Sequence, residues 1–335
     1  ETRVPNNAIT WEVANNSNIG IEGQMYQGKV FFEFDYFYNK RTNILWRKNA
    51  SVPQSSGLAS LLPAENIGEV ENKGFDLNIG YRGQKGDLSY SISANGGYAK
   101  NKILFWDAPA WQLSTGKPMN TPNPVYLYDG VFPNQAAIDA ETLDYSDITN
   151  NLRPGDMKFV DYDGDGSITP LDRVRLDKNN IPRFQGGVNI NASYKNFDLA
   201  ILFQGAAGAI AQVSLGESGN IGNYLLEFYE NRWTIDNEST EYPRIANRSD
   251  QYYSNGNDFW YRSSDYIRLK NFEIGYTVPQ QFGERFGISN LRFYANGLNL
   301  VTWDKLKVYD PESDNATGQY YPQARVINAG LSVTF

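Results

Sequence analysis

The acidic segment between residues 161 and 172 has residue types and a spacing that predict metal chemistry. It reads D-Y-D-G-D-G-S-I-T-P-L-D, so carboxylates stand at its first, third, fifth and twelfth positions. Oxygen ligands at this spacing converge on one hard cation, and the glycine at the sixth position allows the sharp turn that convergence requires. The sequence therefore predicts a Ca²⁺ site whose ligands are Asp161, Asp163, Asp165, the backbone carbonyl of Ser167, and Asp172.

Two details of this segment define the kind of site expected. The twelfth position holds Asp172 where Glu is usual, which predicts a tighter loop or weaker binding, and Ile168 is expected to anchor the loop in apolar surroundings. No clear amphipathic helices flank the segment, so we expect a structural calcium that stiffens a long loop rather than a switch. An acidic turn without a metal is the alternative that the sequence leaves open.

The composition argues against an enzyme and against a nucleic-acid partner. The chain has no His and no Cys, so it lacks the commonest general base and every thiolate nucleophile or ligand. No Ser/base pair or phosphate loop is present, and Glu227 and Glu230 beside Arg232 are interpreted as a solvated surface cluster. A net charge of −8 disfavours binding to a polyanion.

Aromatic residues are the remaining candidates for a binding role. The chain contains 23 Tyr, 18 Phe and 7 Trp. Four of them, Trp106, Trp111, Trp260 and Tyr261, fall in or near the longest connections and are predicted to contact substrate by stacking on sugar rings. Packing within the loops, or within an aromatic girdle, is the alternative for each of them.

Alternation of apolar and polar residues predicts the elements that position these groups. In the last ten residues, 326–335, apolar side chains alternate with Asn, Gly, Ser and Thr, which indicates a strand with one apolar and one polar face. Shifts in this alternation predict bulges near Asn271 and Gly297, and the segment 47–71 is expected to contain no clear strand. The nine predicted strands are 10–24, 29–46, 74–81, 88–103, 184–194, 197–204, 266–278, 291–303 and 326–335.

The predicted connections alternate between short and long, with the longest at 107–182 and 205–264. Transmembrane β-barrels sort their connections in this way, whereas a soluble sandwich has no reason to. An odd number of strands would leave an open edge in lipid, so we expect the chain to be the C-terminal portion of a larger outer-membrane barrel. The sequence shows no signal peptide at Glu1, which fits a mature terminus or a start within a longer protein.

Segments along nearly the whole chain resemble the C-terminal part of SusC/RagA-type TonB-dependent outer-membrane transporters of Bacteroidota. They occur in the order found in that family. The segments are ITWE (9–12), NIGI (18–21), FDYFYNK (34–40), NIGEVENKG (66–74), PGDMKF (154–159), YIRLKN (266–271), NGLNL (296–300), YDPE (309–312) and YPQ (321–323).

The resemblance implies an all-β fold of about nine antiparallel strands, belonging to a transmembrane barrel of about 22 strands with a plugged lumen and long extracellular loops. It implies active import of oligosaccharides, or less often peptides, driven by TonB–ExbB–ExbD with a SusD-like surface lipoprotein. The plug and the TonB box would lie upstream of Glu1. A passive porin, a soluble carbohydrate-binding β-protein and a barrel-embedded hydrolase are the alternatives.

Overall fold

The computed structural model describes residues 5–48, 51–52, 54–57, 61–108, 114–213, 225–245, 256–283, 287–313 and 321–335. These residues form thirteen strands and three short α-helices. The strands are β1 (Val13–Met25), β2 (Val30–Arg47), β3 (Ala64–Lys85), β4 (Leu88–Phe105), β5 (Tyr128–Val131), β6 (Met157–Phe159), β7 (Phe184–Tyr194), β8 (Phe197–Ala207), β9 (Ile210–Gln212), β10 (Tyr261–Ser263), β11 (Tyr266–Thr277), β12 (Asn290–Asp304) and β13 (Val326–Thr334). The helices are α1 (Gln135–Asp139), α2 (Leu226–Asn231) and α3 (Gln280–Gly283).

Nine of the strands form one antiparallel sheet, in the order β1-β2-β3-β4-β7-β8-β11-β12-β13. The predicted number of sheet strands is therefore confirmed. The four remaining strands form two small pairs, β5 with β6 and β9 with β10, which lie in the connections. No helix in the described part of the chain is both long and apolar enough to cross a membrane.

The sheet has an apolar face and a polar face because its side chains alternate with a period of two. On β13, Ile327 is 75% exposed and Leu331 is 60% exposed, and they share the apolar face. On the polar face, Arg292 bonds to Asp198 and to Glu273 (2.8 Å to Oε1), which ties β12 to β8 and β11. A monomeric protein rarely leaves so continuous an apolar surface uncovered in water.

Short connections join the strands at one end of the sheet and long ones at the other. The short ones are 26–29, 86–87, 195–196 and 278–289, and the long ones are 48–63, 106–183, 208–265 and 305–325. They alternate along the chain, and antiparallel neighbours reverse direction at each connection, so each kind collects at its own end.

The predicted bulge near Asn271 is confirmed, because the pairing of β11 with both neighbours shifts between Leu269 and Asn271. On β12 the corresponding irregularity lies between Leu298 and Val301. Leu298 pairs with Asn271, and Val301 pairs with Leu269. The irregularity that the sequence placed near Gly297 therefore begins one residue later.

One prediction about the strands is wrong: β3 begins at Ala64, inside the segment expected to lack a strand. This first part of β3 has no apolar/polar alternation, and polar side chains tie it to β2 and to the residue that follows β2. Lys40 pairs with Glu69 at 2.8 Å, and Lys48 pairs with Glu65 at 2.8 Å. Cross-strand ion pairs support the strand without the pattern that a sequence search detects.

The hydrophobic core of the described residues lies in connection 106–183 rather than in the sheet. It consists of Tyr126, Phe132, Tyr145, Met157, Phe159 and Ile168. Connection 208–265 packs against it, since Trp233 Nε1 donates to the carbonyl of Pro133 (2.7 Å). A buried ion pair of 2.6 Å between Arg244 and Asp156 adds a second tie. Connections 106–183 and 208–265 are thus packed together at the end of the sheet.

Candidate functional site

The acidic segment 161–172 forms a compact loop that brings three of its carboxylates together. Ligand oxygens of Asp161, Asp163 and Asp165 all lie within 4.8 Å of one another. Asp161 organises the turn, because its two carboxylate oxygens accept from the backbone N–H groups of Gly164 (2.8 Å) and Gly166 (2.9 Å). Both glycines have positive φ, 77° and 87°, which a residue with a side chain would adopt at a cost.

Asp172, the fourth predicted carboxylate ligand, has a different place in the loop. It is fully buried, and its Oδ1 accepts from the N–H of Tyr162 (2.7 Å) while its Oδ2 accepts from the N–H of Thr169 (2.7 Å). The hydroxyl of Thr169 accepts from the backbone in return, which completes a capping box around the short 3₁₀ helix Pro170–Asp172. Asp172 therefore fixes the backbone that presents the other three carboxylates.

The rest of the loop is attached to the core. Ile168 is fully buried among the core aromatics, as its expected anchoring role requires. Ser167 is held between two backbone hydrogen bonds, from the N–H of Asp144 to the carbonyl of Gly166 (3.0 Å) and from the N–H of Ile168 to the carbonyl of Asp144 (2.7 Å).

The electrostatics of the loop differ from one carboxylate to the next. The hydrogen bond from the Gly166 N–H holds the pKa of Asp161 below its usual value. Partial desolvation, together with the negative charges of Asp165, Asp172 and Asp161, raises the pKa of Asp163. Three carboxylates that repel one another on a preformed backbone fit a hard divalent cation.

A polar cavity lies where the long connections meet the polar face of the sheet. Its volume is 660 Å³. Three sheet strands supply its wall, since Gln185 on β7 pairs with Ala206 on β8, which pairs with Tyr266 on β11. The rest of the lining comes from the long connections, with Asn120, Pro122, Asn180 and Pro182 from the first, Ile210, Gln212, Tyr261 and Ser264 from the second, and Pro311, Glu312 and Ser313 from the last.

A buried arginine fixes one side of this cavity. Arg268 is only 1% exposed, and it binds Glu312 Oε2 at 2.5 Å and Asp310 Oδ1 at 2.7 Å. Tyr266 donates to Glu312 Oε1 at 2.7 Å. Connection 305–325 is therefore pinned to the polar face of the sheet by charge-assisted hydrogen bonds.

The four aromatic residues predicted to contact substrate fall into three groups. Tyr261 lines the cavity. Trp260 packs within an aromatic cluster, with its ring centroid 4.8 Å from that of Phe259, and Trp106 packs against Trp46 with centroids 3.8 Å apart. Trp111 lies outside the described residues.

Glu227 is not merely a solvated surface group. Arg262 binds it with two nitrogens, 2.9 Å to Oε2 and 3.2 Å to Oε1, and the hydroxyl of Tyr242 donates to it as well. The hydrogen bond from Arg262 lowers the pKa of Glu227. These contacts join α2 to β10, next to Tyr261.

Gln185 and Gln204, which line the cavity, and Arg268, which holds the cavity-lining Glu312 in place, were not predicted from the sequence. Arg268 and Glu312 belong to the family-like segments 266–271 and 309–312, so their joint occurrence was a signal, although nothing in the sequence indicated that the two would meet. The glutamines carry no such signal, because a lone amide on a strand is ordinary on any polar face.

The sheet, with one apolar and one polar face and its long connections gathered at one end, has the architecture of a β-barrel wall. Residues 1–300 match the family described as "TonB dependent receptor-like, beta-barrel". The chain belongs to this family, and its predicted SusC/RagA-type resemblance is confirmed.

Curated relatives and solved structures agree with this assignment. TonB-dependent receptor P3 of Formosa agariphila is 28% identical over 364 residues, covering 100% of this chain and 35% of that protein. TonB-dependent receptor P26 of the same organism is 29% identical over 366 residues, covering 99% and 36%. The chain thus spans about a third of the length of these relatives.

Two structures of a peptide importer share the fold. The RagAB peptide transporter superimposes with a TM-score of 0.69 at 22% identity, covering 99% of this chain and 36% of that one. The RagAB peptide importer in its open-open state gives a TM-score of 0.70 at 21% identity, covering 100% and 36%.

Proposed function

We propose that this chain is part of the barrel of an outer-membrane importer that takes up oligosaccharide or oligopeptide nutrients actively, in a SusCD-type complex. The observation that carries the proposal is the two-faced sheet. Its uncovered apolar face suits the hydrocarbon of the outer membrane, and its polar face suits a lumen through which a hydrophilic nutrient passes. The protein itself performs no covalent chemistry on its cargo.

The proposed partners follow from the same arrangement. The long connections, which lie together at one end of the sheet, would face the cell exterior and receive a SusD-like surface lipoprotein. TonB with ExbB and ExbD would supply the energy for import from the opposite side. Membership of the TonB-dependent receptor family supports a partner that supplies energy from the side opposite the long connections.

We also propose that the loop 161–172 binds one structural Ca²⁺. Asp161, Asp163 and Asp165 would supply carboxylate oxygens and Ser167 its backbone carbonyl. Asp172, whose oxygens already accept backbone hydrogen bonds, would complete the site by fixing the loop. When bound, the cation would neutralise the mutual repulsion of these carboxylates and stiffen connection 106–183.

Purification and uptake together test the import function. Full-length receptor should be extracted from outer membranes in mild detergent and analysed by mass spectrometry for co-purifying proteins and cargo. Uptake of the candidate nutrients should be compared in cells with and without the receptor, and with and without TonB. We expect a stoichiometric lipoprotein partner, and we expect uptake to require both the receptor and TonB.

Other outcomes would contradict the proposal in distinct ways. Uptake that needs the receptor but persists without TonB would identify a passive porin. Recovery of the full-length protein in the soluble fraction would instead favour a carbohydrate-binding β-protein and would remove the membrane placement altogether.

A further inference from the structure

The apolar face of β4 shows how deep each of its side chains lies in the proposed membrane placement. Its apolar positions run from Leu88 to Tyr98. At about 3.4 Å per residue this interval is about 34 Å along the strand, and a tilt of about 45° reduces it to about 24 Å across a bilayer. Outer-membrane barrels have an apolar band about 25 Å tall. Tyr98 therefore lies at the boundary between hydrocarbon and head groups, at the end of the sheet with the long connections.

Lysine side chains come directly beyond this aromatic boundary. Lys100 follows Tyr98 by two residues on β4, and because strand side chains alternate it lies on the same face. Lys73 precedes Phe75 by two residues on the antiparallel strand β3, and the ring of Phe75 stacks on that of Tyr98 with centroids 5.8 Å apart. Lys73 and Lys100 are direct cross-strand partners, and Lys102 is the next residue on this face of β4. We call Lys73, Lys100 and Lys102 the lysine cluster.

The carboxylates near the lysine cluster neutralise it only in part. Like charges directly opposite each other on a sheet repel. Lys73 approaches Glu71 at 3.9 Å, and Lys100 approaches Asp177 at 3.5 Å. Arg183 binds Asp177 more closely, at 3.1 Å. Two carboxylates thus face three lysines and an arginine, which leaves an excess of positive charge.

The lysine cluster lies on the side of the sheet that faces away from the lumen. Its strands are interior to the sheet, since β3 lies between β2 and β4, and β4 lies between β3 and β7. Further barrel strands would join at the edges, β1 and β13, and would not cover this face. The neighbouring Lys40 and Glu69 pair with each other at 2.8 Å and add no net charge. The side chains of Lys73 and Lys100 are 53% and 38% exposed, so both can reach an anion in the membrane surface.

We propose that the lysine cluster binds phosphate groups of lipids in the outer leaflet of the outer membrane. Lipid phosphates lie at the level of the head groups, which is where the aromatic boundary places these lysines. A phosphate between Lys73 and Lys100 would offset their repulsion through charge-assisted hydrogen bonds. The inference rests on the membrane placement in the proposed function and adds a specific lipid contact to it.

Lipid binding to the full-length receptor in detergent tests this inference. The probe is lipid A that carries two phosphate groups, and native mass spectrometry counts the molecules retained as its concentration rises. We expect saturable binding. The double variant Lys73→Gln/Lys100→Gln should weaken affinity about tenfold or more, because two cations next to an anionic group are removed. Lys73→Arg/Lys100→Arg keeps both charges and should keep the affinity.

The matched control is Lys29→Gln/Lys85→Gln. It removes the same charge from exposed positions at the other end of the sheet, where the short connections lie. Lys85 has Leu88 opposite it rather than another lysine, so affinity should be unchanged. All variants should reach the outer membrane at the level of the unmodified receptor and retain TonB-dependent uptake, which separates loss of lipid binding from misfolding.

Other outcomes would overturn the inference. Equal retention of lipid A from which the phosphates have been removed would assign binding to the acyl chains alone. Full competition by millimolar inorganic phosphate would identify a site for a free anion instead of a lipid. Unaltered affinity in Lys73→Gln/Lys100→Gln would place the phosphate contact elsewhere. None of these results would affect the proposed import function, which fails instead if uptake does not require TonB or if the receptor is recovered in the soluble fraction.

Discussion

At the scale of single residues, the acidic loop is fixed by hydrogen bonds between its own carboxylates and backbone N–H groups. The backbone N–H groups of Gly164 and Gly166 bond to Asp161, and those of Tyr162 and Thr169 bond to Asp172. Asp163 and Asp165 are left exposed at the surface of this frame. A preformed frame loses little conformational freedom on binding, which favours affinity.

Removing one exposed carboxylate should weaken binding without disturbing the frame. We expect Asp163→Asn to lower Ca²⁺ affinity about tenfold or more, because a hard cation prefers charged oxygen ligands. Isothermal titration calorimetry on the full-length receptor measures the change. Asp236→Asn removes an equal charge from an exposed site in connection 208–265 and should leave affinity unchanged. Equal affinity in the two variants would mean that the loop is an acidic turn only.

Arg268 provides a second test at this scale, because its charge is buried and shared. We expect Arg268→Met to reduce the free energy of unfolding by about 3–5 kcal/mol, since Asp310 and Glu312 would keep their charges but lose the buried cation that binds both of them. Denaturant unfolding of the receptor in detergent micelles measures this change.

The matched control is Lys305→Met. The Lys305 side chain is 69% exposed and pairs with Asp265 at 3.0 Å, so its loss should cost less than about 1 kcal/mol. A comparable loss of stability in both variants would show that the buried Arg268 ion pairs stabilise the protein no more than an exposed ion pair does.

At the scale of elements, α2 and β10 are held together by a charged contact beside an aromatic cluster. Arg262 on β10 bonds to Glu227 on α2, while Phe228 packs on Trp260 with ring centroids 5.7 Å apart. Since Tyr261 follows Trp260 directly, this junction determines where the cavity-lining tyrosine lies.

The Glu227–Arg262 contact should make this junction sensitive to acid. The pKa of Glu227 is lower in the folded protein, so its stabilising contribution is fully present above its unfolded value and is lost as pH falls through its folded value. We expect amide hydrogen exchange in segment 256–263 to accelerate, relative to intrinsic rates, as pH falls from about 5 to about 3. Glu227→Gln should exchange faster already at pH 7 and lose most of that dependence. An unchanged pH profile in the variant would assign the effect to other groups.

At the scale of the whole molecule, the sheet separates two environments. Ile274 lies on the apolar face of β11, and Asn95 lies on the polar face of β4. In the proposed outer-membrane placement, the first faces lipid and the second faces the lumen. The same substitution should therefore have opposite consequences on the two faces.

We expect Ile274→Arg to destabilise the barrel by about 2–4 kcal/mol, because a cation would be placed in hydrocarbon. Asn95→Arg should change stability by less than about 1 kcal/mol, because its charge stays in water. Folding into lipid vesicles, followed by urea titration, measures both values. If the two variants were equally stable, the assignment of the faces would be wrong.

The regular part of this fold could be predicted from sequence because its strands alternate with a period of two on a surface that sorts apolar from polar residues. Strands β7 and β13 show how clear that signal is. The alternation did not predict the strand at residues 64–73, because polar side chains of β3 pair across strands there and neither face of this segment is apolar. A contact between side chains that are far apart in sequence, such as that of Arg268 with Glu312, leaves no pattern in the local sequence from which it could be predicted.

The two candidate sites also differ in how far they could be predicted from the sequence. The acidic loop is local, so spacing alone identified the residues that the structure brings together. The cavity is assembled from three sheet strands and three connections, and only Tyr261 among its lining residues was predicted. Trp106 and Trp260 show the limit of residue type as a guide, since both are occupied in packing against other aromatic rings.

The pinned connection between β12 and β13 also bears on how the chain is assembled. Arg268 on β11 is neutralised by Asp310 and Glu312, which both belong to this connection. Together with the hydrogen bond from the hydroxyl of Tyr309 to the carbonyl of Gln212 (2.7 Å), these contacts attach the β12–β13 hairpin to neighbouring elements. The connection that leads into β13 is thus fixed to β11 and to β9, so we expect pairing of β12 with β13 and docking of this connection to be coupled.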